Sequence, residues 1–168
     1  MLDRAATALL APLLRRLARP LARAGIGADA ITLTGFATGS AGAAAIAAQR
    51  PLLGLALILA SRLMDGLDGA VARLGRPTDR GAFLDVALDF LFYASVPLAF
   101  AIADPGANAL AAATLLAAFV GTGSSFLAFA ILAERRGIAN RRLPMKGFHY
   151  LGGLTEATET LVCFAAMC

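Results

Sequence analysis

Apolar length constrains this chain more than any other feature. Five runs are predominantly apolar: about Ile31–Ala48, Leu52–Val71, Ala82–Ala103, Ala109–Leu132 and His149–Cys168. Each approaches the roughly 20 residues that carry an α-helix across a hydrocarbon core. In that solvent the backbone must satisfy its own hydrogen bonds, which leaves the helix as the form for such runs. Composition agrees: 59% of residues are hydrophobic and 15% charged, against about a quarter charged in soluble domains. The runs predict an all-α, polytopic transmembrane helix bundle of five spans.

The segment before the first run is different. Met1–Gly27 carries five arginines, and its longest uncharged run, Ala5–Leu14, is interrupted by Thr7 and Pro12, so it does not read as a secretory signal. On a helical projection Leu10, Leu13, Leu14, Leu17 and Leu21 share one face, opposite Arg15, Arg16, Arg19 and Arg23. That pattern predicts an amphipathic interfacial helix within residues 1–28, bent at Pro12 and Pro20, lying on the membrane beside anionic headgroups. Residues 31–168 would form the bundle, and 1–168 a single domain.

Basic residues fix the expected orientation. Thirteen of the fifteen lie before the first span, between the second and third (Arg73, Arg76, Arg80), or between the fourth and fifth (Arg135, Arg136, Arg141, Arg142, Lys146). The opposite loops hold Arg50 alone. By the positive-inside rule the N-terminus and both Arg-rich loops face the cytoplasm. Charges that flank spans form no patch for nucleic acid. Cys163 and Cys168 share the last apolar run and read as buried thiols, and His149 as an interfacial imidazole. The small residues Gly35, Gly39, Ser40 and Gly42, and later Gly121, Gly123, Ser124 and Ser125, read as helix-packing ridges.

Chemistry concentrates in residues 61–89. Asp65 and Asp68 are three apart near the end of the second span, and Asp85 and Asp89 are four apart near the start of the third. Each pair shares a helix face. The connecting loop is short, so the two helices are antiparallel neighbours. At 1.5 Å per residue, all four acids lie about 6–12 Å inside the helix ends. Unpaired acids cost about 2.5–3.5 kcal/mol each near the membrane centre and less toward an interface. Arg62 could offset one and Arg73 another, whereas divalent cations would offset all four. Ligands of oxygen alone suit Mg²⁺ or Mn²⁺.

The order Asp65-x-x-Asp68-Gly69-x-x-Ala72-Arg73…Gly81-x-x-x-Asp85-x-x-x-Asp89 resembles the signature of the CDP-alcohol phosphatidyltransferases. One departure is a loop of seven residues between Arg73 and Gly81 where the usual pattern has eight. The resemblance implies transfer of a phosphatidyl group from a CDP-linked lipid to a small alcohol acceptor, with release of CMP, in phospholipid biosynthesis. It implies two divalent cations held by Asp65, Asp68, Asp85 and Asp89, with Asp65 and Asp85 bridging and Asp89 also serving as general base. Gly69, Arg73 and Thr78 would contact the CDP part. Asp29 and Thr32 resemble the family's polar pair near the nucleotide, although Asp29 could equally be a helix cap. A homodimer in the inner or plasma membrane, with its site toward the cytoplasm, is implied as well. The family usually has six spans, which leads to the expectation that a last helix is lacking here.

The acceptor is left open. The basic segment Arg135–Lys146 suits a phosphate-bearing alcohol, or simply the topology rule. Glu156 and Glu159 suit a cationic alcohol, or pairing with a basic neighbour. Two other classes use intramembrane acids: cation- or proton-coupled transporters, which distribute them across the membrane, and intramembrane prenyltransferases, which favour other spacings.

Overall fold

The computed structural model describes residues 2–75, 78–137 and 157–168, and these residues are helical with no strand among them. Six helices follow in order: α1 (Leu2–Arg23), α2 (Ala28–Ala47), α3 (Pro51–Ala72), α4 (Asp79–Ala103), α5 (Pro105–Arg135) and α6 (Ala157–Met167). Local chemistry sets several boundaries. Pro51 and Pro105 open α3 and α5 at positions where a missing N–H costs nothing. Asp104 Oδ1 accepts from Ala107 N at 3.1 Å and caps α5. Gln49, with φ of 63°, turns the chain between α2 and α3, and its Nε2 donates to the Ala103 carbonyl at the end of α4.

Among the described residues α2, α4 and α5 are long and apolar enough to cross a membrane. Helix α3 matches them in length, at 22 residues, but carries Arg62, Asp65 and Asp68. Its packing along α2 sets it in the same layer. The expected fifth span is described from Ala157 onward, as α6. Arg76, Arg141, Arg142, Lys146, His149 and Glu156 lie outside the described residues.

Lipid tails are as apolar as leucine, so close packing and not water exclusion must hold such helices together. Gly35, Gly39 and Gly42 supply it on α2. A Cβ at Gly35 would stand 3.1 Å from Met64 Cβ, and one at Gly42 would stand 3.0 Å from the Gly54 carbonyl. The first ridge is therefore a packing surface. The second is one in part: a Cβ at Gly123 would lie 2.8 Å from the Phe90 ring, but Gly121 has nothing within 4 Å. The core comprises Ala43, Ile46, Ile58, Phe92, Val96, Ala99 and Phe164. Around it Leu52, Phe83, Leu91, Ile102, Leu110 and Val120 face outward, a surface suited to lipid and ill suited to water.

Helix α1 runs as one helix through Pro12 and Pro20. Leu14 and Ala18 are buried with Ala70 and Val71 of α3, while Leu10, Leu13 and Leu17 stay exposed beside them. Half of its apolar face thus packs on the bundle. The rest is exposed. Cys163 is exposed and Cys168 partly so, which corrects the expectation of buried thiols: α6 turns Phe164 inward and Cys163 outward.

Candidate active site

The end of α3 and the start of α4, joined by a short connection, bring the acids to one level. Asp65, Asp68 and Asp85 each offer a carboxylate oxygen, and the three oxygens lie within 4.8 Å of one another. Asp68 is buried, Asp65 half-buried and Asp85 exposed, so the group opens at one side. Thr32 Oγ1 of α2 donates to Asp68 Oδ2 at 2.5 Å and fixes that carboxylate from behind. Asp89 shares the pocket with the trio, but its Oδ1 accepts from Arg62 Nη1 at 2.6 Å. The same Nη1 lies 3.8 Å from Asp65 Oδ2.

Three carboxylates with overlapping reach repel one another unless a cation joins them. The group is of oxygen alone, with no sulfur or imidazole among its members, and so fits a hard divalent ion. A Cβ at Gly69 would stand 3.3 Å from Arg73 Nη1, so the exposed Arg73 side chain folds back over the glycine.

The other expected nucleotide contacts sit at the starts of α2 and α4. Thr78 is the N-cap of α4, its Oγ1 accepting from Gly81 N at 3.0 Å. A Cβ at Gly81 would meet both Asp29 Oδ1 and Thr78 Oγ1 at 3.2 Å. Asp29 does not cap α2, whose N-cap is Gly27 without a side-chain bond. Its Oδ2 lies 3.4 Å from Arg80 Nε instead. Asp29, Thr78 and Gly81 therefore form one corner, Thr32 belongs with the acids, and Gly69 with Arg73 ends α3. The sequence reading missed the pocket's inner wall: Phe36, Ser61 and Leu88 line it beside Arg62. Ser61 and Arg62 lie one turn before Asp65 and were open to the same periodicity argument.

A helical membrane bundle with this motif at the junction of two antiparallel helices defines a class. The profile of the CDP-alcohol phosphatidyltransferase family matches residues 26–167, and the chain belongs to that family. Inner membrane protein YnjF of Escherichia coli is 52% identical over 168 residues, covering all of this chain and 82% of that protein. Archaetidylinositol phosphate synthase of Methanothermobacter thermautotrophicus is 49% identical over 82 residues, which is 48% of this chain and 42% of the relative. In structure, the chain resembles the phosphatidylinositol phosphate synthase of Mycobacterium tuberculosis, solved with CDP-DAG bound. The TM-score is 0.64 at 26% identity, over 90% of this chain and 72% of that one.

Proposed function

We propose that this chain transfers a phosphatidyl group from a CDP-linked lipid, such as CDP-diacylglycerol, to the hydroxyl of a small alcohol with release of CMP. The observation that carries this reading is the meeting of Asp65, Asp68 and Asp85 within 4.8 Å, from two helices, inside the family's motif. These acids, with Asp89, would hold two divalent cations, Mg²⁺ or Mn²⁺, whose charge would offset that of the pyrophosphate. Thr32 orients Asp68, since a carboxylate with a fixed donor on one oxygen presents the other in a set direction. Arg73, exposed beside Gly69, meets the CDP phosphates, and Asp29 and Thr78 bound the nucleotide end. Asp89 takes the proton of the acceptor hydroxyl. The acceptor oxygen attacks the lipid-side phosphorus, and the bond from that phosphorus to the CMP oxygen breaks.

Topology follows the basic residues. The Arg-rich N-terminus and the α3–α4 connection face the cytoplasm, in the inner membrane by analogy with YnjF. Residues 1–168 act as one unit, 1–28 at the interface and 31–168 as the bundle, paired in a homodimer. For the acceptor, both named synthases among the relatives make inositol phosphate lipids, and exposed Arg135 and Arg136 end α5 with charge suited to a phosphate. A phosphate-bearing polyol is therefore the acceptor class to test first. The assay is radiolabelled CMP release from CDP-diacylglycerol with inositol phosphate, glycerol 3-phosphate, inositol and serine. Release that depends on one acceptor and on Mg²⁺ or Mn²⁺ supports the reading, and none with any acceptor refutes it.

A further inference from the structure

Arg62 is the twelfth of the 22 residues of α3, one turn deeper than Asp65, and its side chain retains 11% of its exposure. A guanidinium there needs partners, and the ones it has are unusual in kind. Its Cζ lies 3.9 Å from the centroid of the Phe92 ring and 5.5 Å from that of Tyr93. Nη2 donates weakly to Ser61 Oγ at 3.3 Å, and Nε has no acceptor among the described residues. The short bond is the one to Asp89 Oδ1, at 2.6 Å. Its donor, Nη1, also stands 3.8 Å from Asp65 Oδ2, outside hydrogen-bond reach. Position is thus set by a ring face and one short carboxylate bond, with Asp65 as a longer-range ion-pair partner, and not by saturation of five donors. Phe92 is fully buried, and its neighbour Tyr93 stacks edgewise on it and packs against Phe119 and Phe164. A planar cation resting on that aromatic floor has little freedom to swing.

We propose that Arg62 is a positioning residue for the transfer step: standing on Phe92, it clamps Asp89 by Oδ1, whose second lone pair stays open to a cation, and so aims Oδ2 at the acceptor hydroxyl. This rests on the reading of Asp89 as the proton acceptor. Rotation of a free aspartate would spread Oδ2 over several directions, and the clamp removes that freedom before the acceptor arrives. Lysine is a poor replacement, because its ammonium has neither the plane that stacks on Phe92 nor a fork.

The test uses the full chain with saturating Mg²⁺ and compares Arg62→Gln, Arg62→Lys, Asp89→Asn and the double variant Arg62→Gln/Asp89→Asn. Readouts are CMP-release kcat, CDP-diacylglycerol affinity by calorimetry and Mn²⁺ affinity by titration. Arg62→Gln should lower kcat about 10- to 100-fold, up to the lower end of the usual worth of a general base, while donor affinity stays within about threefold. Mn²⁺ affinity should hold or rise, since a positive charge has left the site; a collapsed site would lose it. On the Asp89→Asn background the same change should cost less than about threefold, because its route of action is gone. Arg62→Lys, which keeps the charge if the glutamine variant does not fold, should fall between. Wild-type kcat in Arg62→Gln or in Arg62→Lys would overturn the proposal, as would an equally large loss on the Asp89→Asn background or a parallel loss of donor binding. An inactive wild type would instead count against the proposed function.

Discussion

Gly39 offers a sharp test of how the bundle is held, since a single methyl there meets two helices at once. A Cβ built on Gly39 would stand 2.7 Å from Phe92 Cδ2 of α4, 2.9 Å from Phe92 Cε2 and 2.8 Å from Ser61 Oγ of α3. Carbon atoms pack at about 3.5–4.0 Å, so Gly39→Ala demands a shift of nearly an ångström. Neither neighbour can yield by turning outward, because Phe92 and Ser61 are both fully buried. Overpacking of this kind costs about 1–3 kcal/mol, while alanine's better helix propensity returns about 0.5–1 kcal/mol. The net loss, centred near 1 kcal/mol, should lower the folding equilibrium by roughly fivefold. The assay is an unfolding titration in mixed detergent micelles, with Gly121→Ala as the control. Nothing lies within 4 Å of a Cβ at Gly121, so that variant should be neutral or slightly stabilised. Because Phe92 is also the floor under Arg62, Gly39→Ala should lose CMP release beyond its loss of folded protein. Equal stability and turnover in the two variants would refute the packing argument.

Other outcomes follow from the site. Asp65→Asn and Asp68→Asn should each lose Mn²⁺ and CDP-diacylglycerol affinity together by calorimetry, since those acids sit within the carboxylate trio. Asp89→Asn should keep substantial donor affinity yet lose CMP release by about 100-fold or more; near wild-type turnover would remove Asp89 from the base role. Thr32→Val removes the donor to Asp68 and should weaken Mn²⁺ binding by about 10-fold, at the low end for an outer-shell partner, with an unchanged value showing that Asp68 orients itself. A cysteine at position 80 should label from the cytoplasmic face in inverted vesicles, and labelling from the outer face alone would reverse the topology.

The elements and the acids were readable because their signals are local. Apolar length marks a helix wherever it sits, and two acids three or four apart share a face without knowledge of any other segment. What escaped the sequence lies between helices. Arg62 could be seen as a charge near Asp65, yet its bond to Asp89, 27 residues away, depends on how α3 is rotated against α4. Thr78, expected at the nucleotide, also caps α4, and Asp29, which could be a cap or a contact, does not cap α2 and lies beside Arg80. Small polar residues next to a helix start serve backbone and ligand with the same atoms, so spacing alone does not separate the roles. The thiols went astray for a related reason: an apolar run says that a residue is out of water, not whether protein or lipid covers it.

The pairing of Arg62 with Asp89 also bears on how the chain enters its membrane. Alone, α3 would be a poor passenger, with Arg62 at mid-helix and two acids beyond it. On insertion scales a central arginine or aspartate costs about 2.5–3.5 kcal/mol. Helix α4 is strongly apolar and follows after a short connection. Entering as a hairpin, the two helices would bring a cation and an anion together before either had to face lipid by itself. The contact that joins Arg62 to Asp89 in the finished protein would then act first during synthesis, making retention of α3 depend on a helix the ribosome has yet to complete.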